Sequence, residues 1–237
     1  MLQQSLTESS APFLAYLETW YNGLEPASLD EVIGNDPRRV AIFCVDVIVG
    51  FCNEGNLASP RVGAIVEPIA RLFKAAHDRG VHNFVLPQDT HDPDAVEFGQ
   101  YAQHCVKGTR ESQTVPELAS LPFASDYTIL PKNSIAASIG TGLGDWMREH
   151  PEVETCIVVG DCSDLCTYQL GMHLRLYANA YQLRRRIVVP ENCVQTYDLS
   201  LDVAHQLGAF PHPGDFYHVV FLHHMAQNGL EIVRELR

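Results

Sequence analysis

Cys156-Ile157-Val158-Val159-Gly160-Asp161-Cys162-Ser163-Asp164-Leu165-Cys166-Thr167-Tyr168-Gln169 runs from an apolar, β-branched stretch through a glycine and a polar turn into a segment of helical character. That is the pattern of a buried parallel strand handing over to a helix. Open α/β sheets place their sites beyond the carboxyl ends of such strands. A thiol at Cys166 would then stand at a helix N-terminus, where unpaired N–H groups and the helix dipole favour the thiolate. Taken alone, a cysteine in this position more often packs as a small hydrophobe. The function of Cys166 therefore turns on what the other strand ends bring to it.

Working outward, residues 39–47, 81–86, 127–130 and 186–190 read as further short strands, with a last one at 230–233. Between them, residues 62–78, 143–150, 165–181, 201–207 and 215–227 carry helical patterning; in the first, Ile65, Ile69, Leu72, Phe73 and Ala76 share a face. Strands alternating with helices at this spacing predict a mostly parallel sheet with helices on both faces. Residues 1–36 read as a helical N-terminal extension with Phe13, Leu14, Leu17 and Trp20 on one face, and residues 37–237 as one domain. A lid, a dimer arm and simple packing are all open to that extension.

The formal net charge of −13 argues against nucleic acid or an anionic membrane as the main partner, since both reward clustered Lys and Arg. Seven cysteines without framework spacing, and an N-terminus lacking a basic and then apolar leader, predict a reducing cytoplasmic setting. No apolar run reaches membrane-spanning length.

Two further strand ends carry charge. Asp46 ends the apolar run Val40-Ala41-Ile42-Phe43-Cys44-Val45, and Lys132 follows the strand 127–130. A carboxylate there costs free energy to bury unless it is paired, so it is expected at the sheet edge facing a cleft, although a helix cap or a salt bridge would also account for it. Together the three are chemically coherent: a carboxylate to accept the thiol proton, and an ammonium to lower the thiol pKa and steady the anion. The long irregular stretch 89–126 adds Asp89-Thr90-His91, then Glu97-Phe98, then His104-Cys105. Asp-x-His places two ligands on one side of an extended segment, His104 can close the site, and Glu97 is an optional fourth ligand. Carboxylate and imidazole suit Zn, Fe or Mn. The alternative is a loop whose histidines cap turns in solvent. The C-terminal histidines, His212, His218, His223 and His224, suit core, surface or interface roles better than a second metal site.

In order and spacing, the segments Phe43-Cys44-Val45-Asp46, Asp89-Thr90-His91, Leu130-Pro131-Lys132 and Val159 to Cys166 resemble the isochorismatase-like cysteine hydrolase family, in its nicotinamidase branch. The resemblance spans residues 40–197 and implies a three-layer α/β/α sandwich around a sheet of about six strands. It implies Asp46, Lys132 and Cys166 as a catalytic triad, and the backbone N–H groups of Cys162 and Cys166 as an oxyanion hole beside a cis peptide at Asp161-Cys162. It implies one divalent transition metal, Zn with Fe or Mn as alternatives, held by Asp89, His91 and His104 with Glu97, and Phe51 and Tyr101 as walls for the substrate ring. The implied activity is hydrolysis of nicotinamide to nicotinate and ammonia through a thioester, a reaction of NAD salvage, by a homo-oligomer. The chain departs from the family at Asp161, usually aliphatic, at Cys162, usually Ala, and at Thr167, usually Val. Those changes leave open another family hydrolase acting on a different small amide or carbamoyl compound. A non-catalytic binding protein and a metallohydrolase with a structural Cys166 are further alternatives, but neither accounts for Asp46, Lys132 and Cys166 together.

Overall fold

Val40–Val45 (β1) is buried along its whole length on both faces, as a continuous apolar run is inside a parallel sheet covered on both sides. The computed structural model describes residues 4–237, so residues 1–3 of the N-terminal extension lie outside the described residues. Six more strands join β1 in one sheet: Asn83–Asp89 (β2), Tyr127–Lys132 (β3), Thr155–Asp161 (β4), Arg186–Pro190 (β5), Val194–Gln195 (β6) and Glu231–Val233 (β7). Their order is β3-β2-β1-β4-β5-β7, with β6 paired to the end of β4, and every pairing is parallel.

The helices are Leu6–Asn22 (α1), Leu29–Ile33 (α2), Val49–Cys52 (α3), Pro60–Gly63 (α4), Val66–His77 (α5), Pro116–Ala119 (α6), Leu143–Glu149 (α7), Cys166–Ala180 (α8), Leu201–Leu207 (α9) and Gly214–Gln227 (α10). Alternation along β1 sorts them into two layers. Val40, Ile42 and Cys44 pack with α5 through Ile69 and Phe73, whereas Ala41, Phe43 and Val45 pack with α7, α8 and α10 through Trp146, Leu170 and Leu222. The expected three-layer α/β/α architecture is thereby present, with seven strands.

The differences from expectation have local causes. The helix expected over 62–78 is broken into α4 and α5, because Pro68 offers no N–H to the carbonyl of Ala64 and its ring would clash there; the helix restarts at Val66 with Pro68 in its first turn. Strands β2 and β3 run through Pro87 and Pro131 to Asp89 and Lys132. They can, because β3 is an edge strand and the pairing of β2 with β1 ends at Val85. Strand β6 was not expected, being only two residues long.

The extension docks on the C-terminal end of the chain. The N–H groups of Ala27 and Leu29 donate to the carbonyls of Glu235 and Arg237, and Arg234 N–H donates to Glu25. Of the apolar face expected on α1, only Leu17 is buried; Trp20 is partly covered, and Phe13 and Leu14 stay largely exposed. The rings of Phe13 and Trp20 both pack edge-on against His223 of α10.

Candidate active site

The sheet turns in opposite directions from β1, toward β2 on one side and β4 on the other, and the carboxyl ends of β1 and β4 are the switch point where open α/β sheets place their sites. Asp46 directly follows β1 with φ +56°, a left-handed conformation that Asp tolerates better than most residues. Across from it, Gly160 lies so close to β1 that a Cβ would meet the Val45 carbonyl oxygen at 2.0 Å, and its φ is +111°. Only glycine permits β4 to approach there. Beyond it the chain turns through Asp161 to Leu165, with a cis peptide between Asp161 and Cys162, and Cys166 opens α8.

Lys132 and Asp89 are cross-strand neighbours at the ends of β3 and β2, so the charges sit in strands rather than in the loops expected after them. Lys132 is fully buried. Its Nζ lies 2.8 Å from Asp46 Oδ2, donates to Asp89 Oδ1, and stands 3.6 Å from Cys166 Sγ. Asp46 Oδ1 accepts from the Asp89 N–H at 2.8 Å. One ligand atom each from Asp46, Asp89 and Cys166 lies within 4.8 Å of the others. Sequence-distant Asp46, Lys132 and Cys166 thus converge.

Burial and charge set the protons. Burial, helped by the neighbouring Asp89 charge and opposed by Lys132, lifts the Asp46 carboxyl to about 6. Burial also pushes the Cys166 thiol well above its usual range, with Lys132 pulling the other way. Burial alone would lower Lys132, but the charges of Asp46 and Asp89 outweigh it and hold the ammonium protonated.

Asp89 links this group to a second one. The segment after β2 forms a bridge with Val106, in which His91 N–H donates to the Cys105 carbonyl at 3.0 Å. That bridge carries His104 to His91, with ring centroids 4.6 Å apart. His91 Nδ1 is tied to Asn133 Oδ1 at 3.2 Å and His104 Nδ1 to the Ala102 carbonyl at 2.8 Å. Both Nε2 atoms therefore face Asp89 Oδ2, at 3.5 and 3.8 Å. His91 Nε2 is buried without a hydrogen-bond partner. With the Nδ1 protons given to oxygen acceptors, three acceptor atoms converge on one point, and a cation there would satisfy all three. These residues fit a divalent transition metal. Glu97 Oε1 lies 4.0 Å from His91 Nε2, at the border of the group.

Phe51 is buried with its ring 5.5 Å from His104, and the half-buried Tyr101 ring is 6.4 Å from it. Phe98, which the sequence marks only as the neighbour of Glu97, packs edge-on against both His91 and His104. Asn133 was missed, although it adjoins Lys132 in the chain. So were the residues behind the turn after β4. Cys162 is itself buried. His212 Nε2 meets Asp164 Oδ2 at 2.7 Å, and His218 Nδ1 meets Ser163 Oγ at 2.9 Å. Both histidines come from the C-terminal segment, where their six-residue spacing around the start of α10 was the available signal.

Residues 40–229 match the model of the Isochorismatase domain. The chain belongs to the isochorismatase family. Among curated members, Arabidopsis thaliana Nicotinamidase 1 is 30% identical over 226 residues, covering 87% of this chain and 90% of that one. Among solved structures, a cysteine hydrolase from Pseudomonas syringae pv. phaseolicola aligns with a TM-score of 0.68 at 20% identity, covering 84% of this chain and 90% of that one. A Bacillus subtilis nicotinamidase aligns with a TM-score of 0.63 at 23% identity, covering 82% and 99%. An N-carbamoylsarcosine amidase from Thermoplasma acidophilum aligns with a TM-score of 0.60 at 21% identity, covering 83% and 96%. At these identities the solved structures speak for the fold alone. Among the described residues no helix is long and apolar enough to cross a membrane.

Proposed function

We propose that this isochorismatase-family hydrolase cleaves the carboxamide of nicotinamide to nicotinate and ammonia, with residues 37–237 as the catalytic domain and 1–36 as an extension docked on it. The observation that carries the reading is the convergence of Asp46, Lys132 and Cys166 beside the three unshared acceptors of Asp89, His91 and His104. The likeness to Arabidopsis Nicotinamidase 1 supports the choice of amide.

The resting pair is a neutral thiol and a carboxylate, because a carboxyl near 6 is largely ionised at neutral pH while the Cys166 thiol titrates far above it. Asp46 takes the Cys166 proton as Sγ attacks the carboxamide carbon. The developing oxyanion accepts from the backbone N–H groups of Cys162 and Cys166, each such donor lowering the barrier by about 3 kcal/mol in comparable sites. As the C–N bond breaks, Asp46 returns the proton to the leaving nitrogen, and ammonia departs. Asp46 then deprotonates a water that attacks the thioester; the C–S bond breaks, nicotinate leaves and Cys166 regains its proton. Lys132 holds Asp46 and balances its charge throughout.

Asp89, His91 and His104, with Glu97 at their border, would hold the metal, zinc first and iron or manganese as alternatives. When bound, it supplies a Lewis-acidic anchor for a ring nitrogen. Phe51 and Tyr101 would flank the ring. Seven buried, unpaired thiols support a reducing, cytoplasmic setting. Homo-oligomerisation, carried over from the resemblance, is checked by light scattering.

The test is ammonia release over nicotinamide, benzamide and a small carbamoyl compound, with and without chelator. Turnover of nicotinamide, poor turnover of benzamide, and loss with chelator that added zinc restores are the expected results. Turnover of the carbamoyl compound with none on nicotinamide overturns the substrate.

A further inference from the structure

The turn that presents Cys166 is held from behind by a chain of buried polar groups that reaches the N-terminal extension. Ser163 is fully buried, and its N–H donates to the Gln195 carbonyl at 2.9 Å. Its hydroxyl meets His218 Nδ1 at 2.9 Å. On the far side of the ring, His218 Nε2 is buried without a hydrogen-bond partner and faces Glu191 Oε1 across 3.5 Å. One tautomer suits this placement: the Ser163 hydroxyl donates to Nδ1, and Nε2–H is turned toward the carboxylate. Glu191 is fixed in turn. Tyr21 of α1 donates its hydroxyl to Glu191 Oε1, and Arg234 donates to Oε2 at 2.9 Å. Arg234 also donates to the Tyr21 carbonyl and lies over the Tyr21 ring, 4.8 Å from its centroid. The Tyr21 ring stands edge-on to His218 at 6.0 Å.

None of these groups belongs to the Asp46, Lys132 and Cys166 cluster, yet each faces the next, from α1 to a residue three before Cys166. The turn they hold contains the two backbone N–H groups assigned above to the oxyanion. Donors of that kind act only if they are already in place when charge develops, and an error of about 1 Å in such geometry costs rates by as much as 100-fold. We propose that His218 is a positioning residue for the 161–166 turn, and that α1 supports it through Tyr21 and Glu191. The extension is then a working part of the site rather than an appendage. The kinetic side of this proposal rests on the amide-hydrolase reading above; the backbone-ordering side does not.

The experiment compares H218A, H218N, S163A, S163A/H218A and Y21F in the full chain, by steady-state kinetics and by amide hydrogen exchange. Asparagine can set its side-chain amide where Nδ1 stood and so keeps the Ser163 contact. H218A is expected to lower kcat about 10- to 100-fold with KM within about threefold, the signature of a lost transition-state interaction. H218N is expected to recover most of that loss. The double variant is expected to be no worse than the worse single one, because the two residues act as one contact. Amides of residues 162–167 are expected to exchange faster in H218A, and to a smaller degree in Y21F, with β1 and α5 unchanged. Unchanged kcat and unchanged exchange at 162–167 in H218A overturn the proposal, as does a loss spread evenly over the whole chain, which marks simple destabilisation. Unchanged exchange in Y21F removes α1 from it. If wild type hydrolyses no amide, the exchange measurements still decide whether His218 orders the turn.

Discussion

The sheet carries a cluster of two histidines and one aspartate at each of its two edges, and the two clusters share composition and spacing but differ in burial and in how their polar atoms are paired. At the carboxyl edge stand Asp89, His91 and His104; at the amino edge, before β2 and β3, stand His77, His82 and Asp126. Each brings its ligand atoms within 4.8 Å of one another. In the first, all three residues are buried, and both Nδ1 atoms are tied to oxygens so that the Nε2 atoms face the Asp89 carboxylate. In the second, His82 Nδ1 meets Asp126 Oδ2 directly at 2.8 Å, and His77 lies flat on Phe123 with centroids 3.9 Å apart. The amino-edge groups satisfy one another or water. Ligand-type residues in proximity therefore do not define a site; acceptors left unshared inside the protein do.

The largest effect that tests this contrast is at the carboxyl edge itself. C166A is expected to reduce ammonia release to the uncatalysed level while leaving the unfolding transition in place, since the sulfur is a small buried group. Retained hydrolysis would sink the thiol mechanism and leave the metal cluster as the only chemistry at that edge. Next comes Asn133, which gives His91 Nδ1 its acceptor. N133A is expected to weaken metal binding about 10- to 100-fold, the usual cost of losing the partner that orients a ligating imidazole, as read by competition with a chromophoric chelator. Unchanged affinity would mean that the orientation of His91 comes from packing against Phe98 alone.

How far the sequence reached is seen in the same residues. Asp46, Asp89, Lys132 and Cys166 were legible because each ends or follows an apolar strand, and parallel strands deliver their ends to one edge; His91 and His104 were legible as Asp-x-His with a downstream His in a long irregular loop. Asn133, Ala102 and Phe98 were not, because their contacts depend on the register that sets Asp89 beside Lys132 and His91 beside Val106. Strand β4 could be bounded to within a residue, since its apolar run ends at glycine. Strands β2 and β3 were cut short at prolines that only their places in the sheet make harmless. His218 and His212 offer only their spacing around the start of α10 as a local signal. Their partners lie about 50 residues away in the chain, and only the packing of α10 beside α8 brings them behind the turn.

A smaller effect concerns the buried support rather than the edges. Burial raises the Glu191 carboxyl, but contacts from His218, Tyr21 and Arg234 and the Arg234 charge outweigh it and hold the carboxyl below its ordinary value of 4.5. As pH falls below that value, the unfolded chain takes up the proton first, so stability rises with pH through this window. The contribution is complete above the ordinary value and is lost as pH falls through the folded one. E191Q is expected to cost about 1–3 kcal/mol at neutral pH and to flatten the acid limb of a plot of melting temperature against pH. An acid limb identical to wild type would show that Glu191 is not among the groups that drive acid unfolding.

The smallest expected effect belongs to the amino edge. D126N keeps the shape of the side chain and removes its charge. The His82 side chain is 63% exposed and that of Asp126 31%, so water replaces what the pair loses. Exposed ion pairs contribute about 0–1 kcal/mol, which for a chain of this size is a shift in melting temperature of about 4 °C at most. Turnover and metal content are expected to match wild type, because no unshared acceptor is left behind and the mutation lies at the opposite edge from Cys166. A drop of one metal equivalent in D126N would break the contrast. It would mean that solvent-facing histidines, already paired, can be drawn away from Asp126 by a cation, and that burial of the ligands is not what separates the two edges.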